Sequence, residues 1–399
     1  MNLSLLLPEN HDELMLRIGK LRENMVHSEI DAMLICYTSN IYYLSGGIFR
    51  GYIYLPLDRE SIYFMIPPSD SDSEMACSIH KPEQIPDKLK DAGYPMPAKL
   101  GLEFSDVSYA EIVRLRKVFP DAIAADGSAV MRRTRSIKTE FEIRKMRDDG
   151  LRQAEVYSRI KSCYSVDMTD LEFQIEIERI LRREGCLGYL RAAGPRMELN
   201  MGSVLAGSNA DIPSPYDFSM GGAGIDSSMP VGASGHIMTP GTAVMIDMNG
   251  GFNGYQTDMT RCWTIGEVSE KAHAAHECSR MILRDLEAYA KPGVEIGELY
   301  NRARRLADDA GLSDYFMGHA HKVAFIGHGV GIELNEMPVV MARNHDPLQK
   351  NMTIALEPKF VIPEVGALGV ENTYLVTENG LENLTVLSEE LRGLLPGQC

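Results

Sequence analysis

In Thr242-Ala243-Val244-Met245-Ile246-Asp247-Met248 a single acid sits inside an apolar run with the pattern of a strand. The next segment, Asn249-Gly250-Gly251-Phe252-Asn253-Gly254, is rich in hairpin-turn residues, and Tyr255-Gln256-Thr257-Asp258-Met259-Thr260-Arg261-Cys262-Trp263 reads as the return strand. Folding this hairpin brings Asp247 and Asp258 to similar heights on neighbouring strands, where facing side chains lie within a few ångströms. The pattern recurs downstream. Met352-Thr353-Ile354-Ala355-Leu356-Glu357 and Gly369-Val370-Glu371-Asn372-Thr373-Tyr374-Leu375-Val376 read as two strands, each with one acid in a hydrophobic run. Pro363-Glu364-Val365-Gly366 supplies the turn between them.

Like-charged pairs buried in β structure resist ionisation unless a cation compensates them. A divalent metal does so economically, because carboxylates bind end-on, bidentate or as bridges. Between the hairpins stands one nitrogen candidate, His328 in Ile326-Gly327-His328-Gly329-Val330-Gly331-Ile332, whose flanking glycines let the backbone approach closely. Taken singly, each acid reads as a strand residue facing solvent. Four acids in two matching hairpins beside a glycine-flanked histidine read as a metal site. Its mixed oxygen and nitrogen donors suit Mn, Fe, Co or Zn better than Ca or Mg.

The rest of the chain frames that site. Its 399 residues are 44% hydrophobic and 24% charged, enough for a sizeable core, and the length suggests roughly two or three domains. With 56 acidic against 40 basic side chains, the net charge of −16 argues against nucleic acid or an anionic membrane as partner. The start, from Met1 to Pro8, lacks the basic head and apolar run of a signal peptide, and no stretch approaches the ~20 apolar residues of a membrane span. The seven scattered cysteines read as reduced thiols of a cytoplasmic protein, and the 23 methionines as core filling. Leu14, Ile18, Leu21 and Met25 lie at helical spacing, while Ala32–Cys36 and Ser61–Ile66 read as buried strands, so residues 1–134 form a small α/β domain without visible chemistry. The basic stretch Met131-Arg132-Arg133-Thr134-Arg135 marks the boundary. Residues 135–399 form the second domain, entered through capping boxes at Thr139 with Glu142 and at Thr169 with Glu172. Later helices run from about Ser269 to Lys291 and to Gly311; helices interleaved with antiparallel hairpins make the class α+β.

At these residues the chain resembles the pita-bread metallohydrolase family, which includes aminopeptidase P, prolidase, methionine aminopeptidase and non-peptidase relatives such as creatinase. The matching features are Asp247 and Asp258, the run Asp258-Met259-Thr260-Arg261, Gly327-His328-Gly329-Val330-Gly331, Leu356-Glu357-Pro358 and Val370-Glu371. Asn40-Ile41-Tyr42-Tyr43-Leu44-Ser45-Gly46 is similar to the amino-terminal domain of the creatinase and prolidase branch, and Ser136-Ile137-Lys138 with Glu142-Ile143 to the start of the catalytic domain. The resemblance implies a creatinase-like amino-terminal domain followed by a pita-bread catalytic domain with two divalent ions. Asp247 would chelate one ion, Asp258 and Glu371 would bridge both, and His328 and Glu357 would hold the other. A water or hydroxide bridging the two ions would be the nucleophile, Glu357 the proton shuttle, and Thr260 and Thr373 would orient ligands. It implies an Xaa-Pro dipeptidase-like hydrolase of a small peptide or amide, and a homodimer. The alternative is a non-peptidase of the same fold: a creatinase- or ectoine-hydrolase-like C–N hydrolase, or a lyase on a small zwitterion.

Several positions depart from the peptidase pattern. Where a second histidine follows the metal histidine by seven residues and contacts substrate, this chain has Asn335, an amide that can donate to an oxyanion but cannot titrate near neutrality. Where another histidine stands upstream, Ser208-Asn209-Ala210-Asp211-Ile212-Pro213 continues with Ser214, and His236 sits too near Asp247. The arginine often found two positions before the last glutamate is Gly369. His319 and His321 alternate ahead of His328, so one could face the cleft, with His319 the catalytic candidate. Tyr216, Asp217 and Phe218 are candidate substrate contacts on a loop continuing into Gly221-Gly222-Ala223-Gly224, which lacks a phosphate-loop context. His273 and His276 are read as a solvated helix face.

Overall fold

Residues 11–69, 75–194 and 197–397 are described by a computed structural model of the chain. The stretch from Met1 to Pro8 and Cys399, both read above, lie outside the described residues; the other six cysteines are free thiols. The chain divides into two compact units between Arg135 and Ser136. No helix among the described residues is long and apolar enough to cross a membrane.

In the first unit, Leu14, Ile18, Leu21 and Met25 form the buried face of α1 (His11–His27). It leads into β1 (Ala32–Ile35), α2 (Thr38–Ser45), β2 (Gly51–Pro56), β3 (Ile62–Met65), β4 (Ala76–Ser78), α3 (Ile85–Asp91), β5 (Lys99–Leu102), α4 (Tyr109–Val118), β6 (Ile123–Asp126) and α5 (Ser128–Ser136). The six strands make one mixed sheet, β4-β3-β2-β1-β5-β6. β1 is buried along its whole length, which explains its unbroken apolar run. Buried Glu103 accepts hydrogen bonds from the Cys36 and Tyr37 amides and from Asn40 Nδ2 (2.7, 2.8 and 2.7 Å), and Asn40 Oδ1 accepts from Arg135 (2.9 Å). The basic stretch before the boundary is therefore helical, with Arg135 buried rather than solvated.

The second unit opens on α6 (Glu140–Ser158) and α7 (Asp170–Arg183), both started by the capping boxes read above. Then come β7 (Gly202–Ala206), β8 (Thr242–Gly250), β9 (Thr257–Ile265), α8 (Glu270–Tyr289) and α9 (Ile296–Asp309). The chain closes with β10 (Gly327–Gly329), β11 (Glu336–Val339), β12 (Thr353–Leu356), β13 (Lys359–Ile362), β14 (Gly366–Gly369), β15 (Asn372–Thr377), β16 (Gly380–Asn383) and β17 (Arg392–Gly393). A four-stranded sheet, β17-β9-β8-β7, and a five-stranded one, β11-β10-β12-β15-β16, are joined by a backbone bridge between Thr260 and Glu371. Tyr157, Phe173 and Ile177 of α6 and α7 pack on Val244, Ile246, Met248 and Trp263 of the first sheet. Ile282, Leu286 and Leu299 of α8 and α9 pack with Ile354, Leu356 and Tyr374 of the second. Helices thus cover one side of each sheet, and the strands leave their other side for polar chemistry.

Candidate metal centre

On β8 the alternation sends Ile246 and Met248 into the helix-covered core, while Asp247 and Asn249 line a cavity of about 530 Å³ on the other face. The register pairs Asp247 with Thr260 and Asn249 with Asp258. The two acids are therefore diagonal neighbours on one face, two positions apart in register, rather than directly opposite. His328 lies on β10 between β11 and β12. A Cβ at Gly327 or Gly329 would come within 2.1 Å of a carbonyl oxygen, of Ala355 or Met337 respectively, so only glycine lets this histidine strand fit its slot.

The second pair of acids is placed differently from the simple hairpin expected. β12 and β15 do pair, but only to Leu356 opposite Asn372. Beyond that point a separate hairpin, β13 with β14, is inserted, and the turn at residues 363–366 belongs to it. Glu357 and Glu371 stand where the strands part. Thr260 Oγ1 donates to Glu371 Oε2 (2.7 Å), as an orienting residue should. Thr373 acts on backbone instead, accepting from the Asp258 amide and donating to its carbonyl (2.8 and 2.9 Å). Arg261, 2% exposed, spreads its guanidinium over the carbonyls of Thr260 and Glu371, the Asn372 side chain and three carbonyls of residues 385–388.

Five donors gather here: Asp247, Asp258, His328, Glu357 and Glu371. His328 Nε2 lies 3.7 Å from Asp258 Oδ2 and 3.9 Å from Glu357 Oε1. Their ligand atoms form two groups of metal-binding reach, Asp258 with His328 and Glu371, and Asp247 with Glu357 and Glu371. The first group fits a divalent ion. Glu371 Oε1 is buried with no hydrogen-bond partner, and an orphaned carboxylate oxygen beside another acid and an imidazole is a donor without its acceptor. The second group already has a cation. Lys359, whose side chain is wholly buried, places Nζ 2.8 Å from Asp247 Oδ2, 2.8 Å from Glu357 Oε2 and 3.0 Å from Glu371 Oε2.

The electrostatics follow from four carboxylates around one ammonium. Burial, reinforced by the charges of Glu371 and Asp247, pushes Asp258 well above the usual carboxylate range. Burial also pushes Glu371 up to about 8, with Lys359 opposing and Asp247 and Glu357 adding to it. Burial works against the Lys359 charge, but Asp247, Glu357 and Glu371 outweigh it and raise its pKa. Glu357, which burial alone would raise, is held low by Lys359, by His328 and by hydrogen bonds from Lys359 and Ser219 Oγ (2.6 Å). Negative charge at Asp258 is thus left without a cation in contact, and that at Glu371 is offset only in part by Lys359.

Other predicted residues fall elsewhere. Asn335 lines the cavity, but its Oδ1 accepts from the Ala193 amide (2.7 Å) and its Nδ2 donates to the Ala193 carbonyl (2.8 Å), which turns it into a loop tie. His319 does not line the cavity: its Nδ1 pairs with Asp211 Oδ2 (2.8 Å) and its ring stacks on Tyr315. His321 borders a neighbouring hollow with Tyr216, whose hydroxyl donates to Glu198 (2.8 Å). Asp217 and Phe218 do line the main cavity. His236 is exposed against Ser234, and Ser214 binds the Pro230 carbonyl. His276 corrects the solvated-face reading: it is 3% exposed, with Nε2 against the Glu389 carbonyl (2.7 Å), while His273 faces solvent. Sequence reasoning missed two groups. Ser219 carried no signal. Lys359 did, as a cation two residues after a ligand acid in an apolar strand, where a lysine needs a buried partner.

Comparison with known proteins bears on the family and the fold. The model of metallopeptidase family M24 matches residues 144–378, and that of the creatinase/prolidase N-terminal domain matches residues 17–137. The chain is 28% identical over 381 residues to an Xaa-Pro dipeptidase of Pyrococcus furiosus, covering 94% of this chain and 99% of the relative. It is 29% identical over 384 residues to an Xaa-Pro dipeptidase of Pyrococcus horikoshii, covering 94% and 98%. The crystal structure of the prolidase from Pyrococcus horikoshii OT3 superposes with a TM-score of 0.76 at 25% identity, over 94% of this chain and 99% of that one. An Xaa-Pro dipeptidase from Bacillus anthracis shares the fold with a TM-score of 0.79 at 21% identity, over 95% and 99%. The expected α+β fold, a creatinase-like domain followed by a pita-bread catalytic domain, is the one found.

Proposed function

Because the chain belongs to metallopeptidase family M24, which implies divalent metal ions, we propose that it is a metal-dependent hydrolase of a small peptide or amide, acting as an Xaa-Pro dipeptidase or aminopeptidase P does. The observation that carries this reading is the meeting of Asp258, His328 and Glu371, one carboxylate oxygen unpartnered, beside a cavity with apolar walls. These residues, with Glu357 beside them, would hold an ion of the Mn, Co, Fe or Zn kind. A divalent ion there would supply Lewis acidity toward a carbonyl oxygen and would acidify water.

The chain's own residues do the rest. Thr260 and Arg261 hold Glu371 by side chain and by backbone, and Thr373 holds the Asp258 backbone, so the donors are set before any ligand arrives. Glu357 turns Oε1 toward His328 while Lys359 and Ser219 occupy Oε2; an ionised carboxylate with one oxygen free can take a proton. Phe218, Met220, Phe325 and Leu334 provide apolar wall, and among the described lining residues Arg343 is the one basic side chain besides His328, suited to a substrate carboxylate. A second reading, hydrolysis of a non-peptide C–N bond, is favoured by one observation: among the described lining residues His328 is the one imidazole, and Asn335 stands where the resemblance expects the peptidase histidine. A cytoplasmic homodimer belongs to the same proposal.

The test is hydrolysis of Xaa-Pro dipeptides against small non-peptide amides, each with Mn, Co, Fe and Zn. Arg343→Ala should raise KM for a free dipeptide by about tenfold and leave that for its C-terminal amide unchanged. Turnover of a non-peptide with dipeptides untouched overturns the first reading in favour of the second, and Asp258→Ala with full metal affinity overturns both.

A further inference from the structure

The residues that would hold a second divalent ion are Asp247, Glu357 and Glu371, and all three already point one oxygen at Lys359 Nζ, at 2.8, 2.8 and 3.0 Å. Building on the hydrolase reading above, we propose that Lys359 is a resident cation in place of the second metal, so that each chain binds a single divalent ion at Asp258, His328 and Glu371.

Three observations carry this. First, the ammonium sits within hydrogen-bond distance of three carboxylates, the partner number its three N–H groups can serve, so each donor has an acceptor. Second, the contacts divide the bridging acids cleanly. Glu357 gives Oε2 to Lys359 and keeps Oε1 near His328; Glu371 gives Oε2 to Lys359 and Thr260 and leaves Oε1 buried without a partner. One side of each carboxylate serves the lysine and the other remains for one ion. Third, the lysine cannot step aside. Its side chain is 0% exposed, and β13 holds it in register opposite Gly369 on β14. A Cβ at Gly369 would approach the Pro358 carbonyl to 2.8 Å, Lys359 Cα to 3.0 Å and Lys359 Cγ to 3.2 Å. Glycine at the position where arginine often stands is thereby explained: it makes the room through which Lys359 passes, and the cation comes from the facing strand instead.

The charge balance agrees. With all four carboxylates ionised, as metal ligation requires, four negative charges against one ammonium leave three, and a divalent ion brings this to one. Placing a second divalent ion against Asp247 would put it within a few ångströms of a buried ammonium held by three carboxylates, a like-charge contact in a site of low effective dielectric. The position between two ions, which the family resemblance assigns to the attacking water, is then absent. The Asp247 end of the site offers a fixed hydrogen-bond donor instead of a second Lewis acid.

Metal content decides the matter without reference to activity. The purified full-length chain is stripped with chelator, reloaded with excess Mn(II), desalted and measured by elemental analysis, with electron paramagnetic resonance on the same sample. The expected result is about one ion per chain with the hyperfine pattern of an isolated Mn(II), and about two coupled ions in Lys359→Gly, which empties the Asp247 position. Two ions in the wild type overturn this inference and leave the metal-hydrolase reading standing. No ion in the wild type overturns that reading and this inference with it. A folded Lys359→Gly protein that still holds one ion refutes the claim that the lysine is what excludes the second. Should that variant fail to fold, the wild-type stoichiometry alone still decides.

Discussion

Replacing Arg261 by lysine tests whether the catalytic unit is held together at the metal site by one guanidinium. The side chain donates to six acceptors at 2.8–3.3 Å, and it is 2% exposed. The Thr260 and Glu371 carbonyls have second donors in each other's amides (3.2 and 3.3 Å), and Asn372 Oδ1 has a weaker one in Thr385 (3.4 Å). The carbonyls of Thr385, Leu387 and Ser388 accept from Arg261. A lysine ammonium has three donors in a compact cone and cannot reach both groups, so about three bonds are lost. At roughly 1 kcal/mol each the cost is about 3 kcal/mol, and Arg261→Met, which loses all six, should cost still more. Trp263, the chain's single tryptophan, lies buried two residues along the same strand and reports this unit alone. Urea unfolding followed by its fluorescence should show a midpoint lowered by roughly 1 M in Arg261→Lys. A loss below about 1 kcal/mol would refute the view that this guanidinium ties residues 385–388 to the metal-site bridge.

Two further outcomes follow from buried polar groups. Burial lowers His276 from the ordinary 6.5 to about 4, so the folded state keeps it neutral while the unfolded chain takes up a proton. Stability is then intact above pH 6.5 and falls as pH drops toward 4, by about 3 kcal/mol in all; His276→Gln should remove that share of the pH dependence of the Trp263 transition, and an unchanged slope contradicts it. In the amino-terminal unit, Glu103→Ala strands the Cys36 and Tyr37 amides and Asn40 Nδ2, a cost of about 3 kcal/mol. Hydrogen exchange should show those two amides losing protection; retained protection would mean that water or another group takes over.

How much of this was legible in the chain depends on the range of the interaction. The capping boxes at Thr139 and Thr169 appear as read, because a cap is settled within three residues. The five metal-type residues were legible because an acid in an apolar strand is conspicuous and their order along the chain resembles a known set. Asp247 and Asp258 do come to similar heights, as read, but their diagonal register was not legible, since the loop lies at residues 251–256 rather than 249–254 and register follows the turn. The inserted hairpin β13–β14 was hidden inside what read as a single connection.

What the sequence by itself determined is therefore which acids and histidine come together, the class of fold and the helix starts, all carried by local pattern or by resemblance. Only the tertiary structure decided which groups those donors meet. It committed Asn335 to the backbone of Ala193, paired His319 with Asp211 and buried His276 against Glu389. It also carried Lys359 between Asp247, Glu357 and Glu371. The reason is physical: a charge buried in a protein takes its partners from every strand that packs around it, and those strands are distant in the chain. Here Asp247 and Lys359 lie 112 residues apart, and no local rule spans that interval.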